Sequence, residues 1–191
     1  MGACLPPDPA RVVLGVLFAD AEILERARGR LVEVLGPVQR VGDEMDFTWT
    51  RYYEAEMGPG LRRCFLSAGA LVPREILADL KRWTNRLESE LAHPDGRRRI
   101  NIDPGLMSLD NFVLATTKSQ PHRLYLRDGI FAEVTLVYTR GGFQPLERTY
   151  PDYRSEEVRK LMDGIRKEYK RDLRAGSKVL VAFAIRGEVS T

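Results

Sequence analysis

Apolar and polar positions alternate between two rhythms along the first hundred residues. Val12 to Ala19 (VVLGVLFA) is an unbroken apolar run, the pattern of a central strand buried on both faces. Asp20 follows as a helix cap. Leu24, Ala27, Leu31, Val34 and Leu35 then recur at helical spacing, with Glu25, Arg26, Arg28 and Arg30 outside. Gly36-Pro37 ends that helix. Val38 to Thr50 predicts a second strand interrupted at Gly42 and Asp43. Arg51 to Pro59 predicts a short helix ended by Gly58, and Leu61 to Ser67 a third strand. Pro73 opens the next helix, where its missing N–H costs nothing. Its apolar stripe is Ile76, Leu80, Trp83, Leu87 and Leu91, opposite a solvated polar stripe of Lys81, Asn85 and Glu88. Arg98 to Asp103 reads as a fourth strand, closed by an Asp103-Pro104-Gly105 turn.

The order so far, β-α-β-β-α-β, is the split β-α-β pattern of ferredoxin-like domains. Leu109 to Ala115 reads as a short helix or an irregular connection. A β-meander follows: His122 to Leu126, an Asp128-Gly129 turn, Ile130 to Tyr138, a Gly141-Gly142 turn and a strand from Phe143. In the strand 130–138, Ile130, Ala132, Val134, Leu136 and Tyr138 are expected on one face, with Phe131, Glu133, Thr135 and Val137 on the other. Ser155 caps a last helix with Glu156 and Glu157 in its first turn and a stripe of Val158, Leu161, Met162, Ile165 and Tyr169. Val179 to Ile185 predicts a final strand. The expected fold is therefore α+β, a ferredoxin-like core extended by a β-meander and a C-terminal helix. Residues 1–10, with three prolines, form a disordered N-terminus. Residues 11–176 form one domain, and 177–191 a strand-like extension.

Composition changes this picture little. A hydrophobic fraction of 43% and a charged fraction of 30% suit a soluble protein with a sizeable core. A net charge of +3 does not single out nucleic acid, for which clustering matters more than the total. Arg97-Arg98-Arg99 is the clearest basic cluster and Arg62-Arg63 a lesser one. Cys4 and Cys64 have no metal-ligand spacing, and the N-terminus lacks the basic and apolar regions of a secretory signal. A reduced, cytoplasmic location is expected, with no membrane segment.

Polar groups of several kinds gather between Arg97 and Tyr153. Glu133 is a carboxylate among apolar and β-branched neighbours, where burial raises a pKa unless a cation pairs with it. His122 has the pKa for proton transfer. These two are the candidate catalytic pair. Lys118, Arg123 and Arg99 are candidate anion holders, and Tyr125, Tyr138 and Asp103 candidate orienting groups. Several chemistries are absent: no P-loop, no G-x-G-x-x-G after the first strand, no H-E-x-x-H, no C-x-x-C and no G-x-S-x-G. No metal-ligand residues are singled out, and the sequence leaves the cofactor unknown.

The segments YYEAEMGPGLRR (52–63), RRINIDPG (98–105), LATTKSQPHRLYL (114–126), GIFAEVTLVY (129–138) and TYPDYR (149–154) together resemble a bacterial family of uncharacterised proteins. The family is classed as a domain of unknown function, and some members carry the label GTP-binding protein. The resemblance covers roughly residues 11 to 174 and implies no reaction. The P-loop that would justify that label is absent from this sequence, so a guanine nucleotide would have to bind by another route. The residues at its motif positions include Tyr52, Tyr53, Asp103, Lys118, His122, Arg123, Glu133, Tyr150, Asp152 and Tyr153.

Two functions are expected from different classes. One is a small-ligand protein, enzymatic or not, that holds an anionic compound such as a nucleotide or phosphorylated metabolite. The other is a non-catalytic interaction module docking through Tyr52, Tyr53, Tyr150, Asp152 and Tyr153, a homodimer included. RNA binding on the sheet face ranks last, because the first strand lacks an aromatic and basic signature.

Overall fold

The computed structural model describes residues 2–177 and 179–180. An antiparallel sheet of eight strands organises them. The strands are β1 (Ala10–Phe18), β2 (Val38–Asp46), β3 (Arg62–Val72), β4 (Ile100–Met107), β5 (Asn111–Thr116), β6 (Leu124–Arg127), β7 (Ile130–Thr139) and β8 (Gly142–Pro145). They lie in the order β2-β3-β1-β4-β5-β7-β6, with β8 paired to β7. The helices are α1 (Ala21–Leu35), α2 (Glu54–Met57), α3 (Leu77–Glu90), α4 (Pro151–Arg154) and α5 (Glu156–Arg174).

The unbroken apolar run of β1 has a direct cause: both faces of the sheet are covered. Val12, Leu14, Val16 and Phe18 pack with the buried stripes of α1 and α3. Val13 joins the cluster formed with α5, and Leu17 a smaller one with Met57 and Leu61. Two of the three long helices, α1 and α5, start at a side-chain cap, whereas α3 continues from a 3-10 turn at Arg74–Ile76 with none. The Asp20 carboxylate accepts from the Glu22 N–H at 2.8 Å, and Ser155 Oγ from the Val158 N–H at 3.2 Å. Residues 2–9 carry no regular element but are tied down at their end: Arg74 Nε donates to the Asp8 carbonyl (2.9 Å) and Tyr169 Oη to the Pro9 carbonyl (2.8 Å).

Three expectations change. Asp103-Pro104-Gly105 is no turn; β4 runs straight through it to Met107. The reversal comes later, where Ser108 Oγ accepts from the Asp110 and Asn111 N–H groups. Leu109–Ala115 is accordingly no helix, and Asn111–Thr116 is β5. The faces of β7 are not constant along its length. The β5–β7 register shifts between Phe112↔Leu136 and Val113↔Val134, leaving Thr135 as a bulge. Ala132 therefore packs with the α1–α3 cluster while Leu136 and Tyr138 pack with the α5 cluster. Of the expected strand Val179–Ile185, Val179 bridges Leu71 in parallel, and residues 181–185 lie outside the described residues.

Gly105 is in β4 for contact, not for turning. A Cβ there would sit 2.4 Å from the Phe112 ring and 2.9 Å from the Val113 carbonyl oxygen. Gly105→Ala is expected to destabilise the protein by about 1–3 kcal/mol through overpacking, read from the urea midpoint.

Candidate functional site

The site begins with a fork in the sheet. β4 pairs β5 only over Gly105–Met107. Strand residues two apart direct their main-chain groups to the same neighbour. Leu106 faces Val113 of β5, so Pro104 and Ile102 also face the β5 side. Pro104 has no N–H to offer there, and the ladder stops. The Ile102 main chain is then satisfied from α3. Its N–H donates to Glu88 Oε1 at 2.7 Å, and its carbonyl accepts from Lys81 Nζ at 3.0 Å. Lys81 and Glu88 stand in for the missing strand partner. This overturns the solvated polar stripe expected on α3, since both side chains are buried.

A cavity of about 540 Å³ opens in the fork. One wall is Asn101 and Asp103 of β4; the other is Leu114 to Lys118 at the end of β5. Arg63, Asp152 and Tyr153 close the back. The connection from β2 to β3 lies over it, bringing Phe47, Trp49, Thr50, Tyr52 and Tyr53 to the lining. Their rings touch in sequence: Trp49 to Phe47 at 5.6 Å, Phe47 to Tyr53 at 6.0 Å, Tyr53 to Tyr52 at 5.1 Å. This is an aromatic roof over a charged floor.

The floor is densely paired. Arg63 Nη2 lies 2.6 Å from Asp152 Oδ2, both side chains buried. The guanidinium stands 5.2 Å from the Phe65 and Tyr153 ring centroids. Lys81 Nζ lies 3.3 Å from Asp103 Oδ1, and Asn101 donates to Asp103 Oδ2 at 2.7 Å. Burial would push the Asp103 carboxyl up, but Lys81 and Arg63 hold it below the ordinary range, so it faces the cavity ionised. Arg98 is clamped by Glu56 at 2.6 Å and lies 3.6 Å from Glu88.

Glu88 carries the opposite shift: burial raises its pKa against the pull of Lys81. The folded state therefore holds the Glu88 proton more tightly than the unfolded chain does. Stability falls as pH rises from the unfolded to the folded pKa. Glu88→Gln keeps an acceptor for the Ile102 N–H. Its stability relative to wild type is expected to be more favourable at pH 7 than at pH 4, checked by urea denaturation at both.

At the cavity wall, Glu133 is buried and receives Arg123 Nε at 2.7 Å, with His122 Nε2 at 3.3 Å. Arg123 also donates to the Tyr150 hydroxyl (2.6 Å) and to the Lys118 carbonyl (2.8 Å). It thereby joins β7, α4 and the turn after β5. Burial and the Glu133 charge push the Tyr150 phenol up to about 12, so it stays neutral.

The sequence candidates divide cleanly. Glu133, Asp103, Lys118, Tyr52, Tyr53, Tyr150, Asp152 and Tyr153 line the one cavity, and His122 and Arg123 adjoin it through Glu133. Arg99, Tyr125 and Tyr138 do not. Arg99 pairs with Asp20 at 2.8 Å, Tyr125 is 62% exposed on β6 against Phe131, and Tyr138 packs on Phe143 under Arg166. Asp152 and Tyr153 are buried, so neither offers a docking surface; Tyr52 and Tyr150 remain exposed. Sequence reasoning assigned no site role to Arg63, Lys81, Glu88 or Arg98. A signal for Arg63 existed: it alternates with Phe65, Ser67 and Leu71 on a strand face that carries no other charge. Among the described residues no group of three or more His, Cys, Asp or Glu is placed to hold a metal ion, and no helix is long and apolar enough to cross a membrane.

Comparison with known proteins adds the family and nothing on activity. No curated protein and no solved structure matches the chain. One family model does match, over residues 8–169, and it takes in the fork, its aromatic roof and the Glu133 cluster. The chain belongs to the family described as a domain of unknown function, DUF4416.

Proposed function

We propose that the fork cavity binds a small anionic organic ligand, a nucleotide or phosphorylated metabolite. The observation that carries this is convergence. Side chains from β4, the end of β5, β7, α3, α4 and the β2–β3 connection meet around one hollow. Their mixture of aromatic walls and directed polar groups is that of a ligand site rather than a packed core. The volume, about 540 Å³, is of the size that encloses such a molecule. Glu133 with His122 would be the proton-handling pair if the bound ligand reacts, because the buried carboxylate reaches both the cavity and the imidazole.

We read the first four strands and the helices between them as a ferredoxin-like split core. The order β2-β3-β1-β4 and the placing of α1 and α3 on one face support that reading. β5 to β8 extend it, and the fork lies at the junction, a natural place for a binding site on a sheet scaffold.

The test is a thermal-shift screen against nucleotides, phosphorylated metabolites and inorganic phosphate, repeated on Lys118→Ala and His122→Ala. Binding to the folded state raises the melting temperature. At least one phosphorylated compound is expected to raise it in the wild type and to raise it less in Lys118→Ala. A flat response across the whole screen, with the protein folded, would sink the proposal.

A further inference from the structure

Charge pairing around the cavity limits what it takes and which way round. Four cationic side chains line it: Arg63, Lys81, Arg98 and Lys118. Three of them are held by carboxylates: Arg63 by Asp152, Lys81 by Asp103, Arg98 by Glu56. Lys118 alone has no carboxylate partner among the described residues. Its ammonium rests 4.5 Å over the Tyr52 ring, 3.4 Å from the Tyr52 hydroxyl. Its position is nonetheless fixed: the Lys118 N–H donates to Thr116 Oγ1 at 3.2 Å and its carbonyl accepts from Arg123.

The two ends of the cavity therefore differ. Deep in the fork, the ionised Asp103 carboxylate, 27% exposed, repels a second anion and accepts hydrogen bonds from N–H groups. At the mouth, Lys118 and the neighbouring Thr117 offer a cation and a hydroxyl. Between them lie the rings of Phe47, Trp49 and Tyr53.

We infer that the cavity takes a ring compound bearing a single phosphate, a nucleoside monophosphate in class. The ring lies under the aromatic roof with its N–H edge toward Asp103, and the phosphate rests at the mouth on Lys118. One unpaired cation answers one phosphate; it does not answer the higher charge of a triphosphate. A sugar phosphate without a ring system leaves the aromatic roof without a stacking partner. This inference rests on the ligand-binding reading above and narrows it.

The experiment is a set of equilibrium titrations, followed by Trp49 fluorescence. The probes are the 5′-monophosphates of adenosine, guanosine, cytidine and uridine, their parent nucleosides and their 5′-triphosphates. The proteins are wild type, Lys118→Ala and Lys118→Arg. For the tightest monophosphate, wild type is expected to bind it about tenfold more tightly than its nucleoside, the effect of one charge-assisted contact. The ratio should fall to near one in Lys118→Ala and survive in Lys118→Arg. The triphosphate should bind no more tightly than the monophosphate. A ratio that persists in Lys118→Ala, or a triphosphate that binds more tightly, overturns the inference while leaving a ligand site in place. No saturable binding by any probe removes the inference, and the broader proposal then stands or falls on the thermal-shift screen.

Discussion

Asp152→Ala is expected to destabilise the protein by about 3–5 kcal/mol, the cost of leaving a buried charge without its partner. Arg63 and Asp152 are both nearly inaccessible to solvent and 2.6 Å apart. The next carboxylate, Asp103, is 3.9 Å from the guanidinium and already engaged by Lys81. Two Arg63 nitrogens, Nε and Nη1, have no hydrogen-bond partner even in the intact structure. Asp103 offsets the lost anion only in part, being farther away and shared with Lys81. The pair itself need not be strongly stabilising, because two ions were desolvated to make it. The double variant Arg63→Met with Asp152→Leu is therefore expected to recover most of the loss. Urea denaturation of the single and double variants separates the two statements. A loss below about 1 kcal/mol in Asp152→Ala would mean that water reaches the back of the cavity and screens Arg63.

Lys81→Met is expected to cost about 3 kcal/mol, by a different route. Lys81 closes the fork in two places: it caps the Ile102 carbonyl and neutralises Asp103. Methionine fills similar space but leaves a buried acceptor unmet, worth about 1–3 kcal/mol alone. Asp103 keeps Arg63 nearby and some solvent, which limits its share of the loss. The pH dependence distinguishes this from simple packing. In the wild type the lowered Asp103 pKa contributes stability that is present above the unfolded carboxyl pKa and is lost as pH falls through the folded one. Removing Lys81 removes the largest influence holding that pKa down. The acid side of the stability profile should therefore flatten in Lys81→Met, and a profile of unchanged shape would contradict the role assigned to the pair.

These two variants mark the boundary of what the amino-acid pattern reveals. The helices α1, α3 and α5 were legible because apolar stripes, caps and stop signals agreed with one another, and β1 because a strand covered on both faces has no polar side to hide. Pro104 and Gly105 misled because their local meaning is a turn, while their actual meaning is tertiary. Pro104 sits where β4 loses its neighbour, and Gly105 leaves room for a ring from β5. The Thr135 bulge cannot be read from strict alternation, which it breaks. At the site, Glu133 stands out because it interrupts strand-like sequence, Lys118 as a lone cation between Thr116-Thr117 and Pro121, and Asp103 through the Pro-Gly pair that follows it. Lys81 and Glu88 did not, since a polar stripe on a helix ordinarily faces water. Only the fork explains why this one faces inward. Arg99, Tyr125 and Tyr138 share the site's sequence neighbourhood but not its space: Arg99 precedes β4 and pairs with Asp20, Tyr125 lies on β6 against Phe131, and Tyr138 packs on Phe143 beyond the β7 bulge.

The proposal that the fork binds a ligand can be read directly, because Trp49 lines it. The chain has two tryptophans. Trp49 lines the cavity, while Trp83 is buried in the α1–α3 cluster away from it. Titrating the folded protein with nucleoside monophosphates should change the emission saturably, and Trp49→Phe should abolish the change while Trp83→Phe preserves it. Emission that stays constant through the millimolar range for every phosphorylated ring compound, or a change that survives Trp49→Phe, would contradict the account.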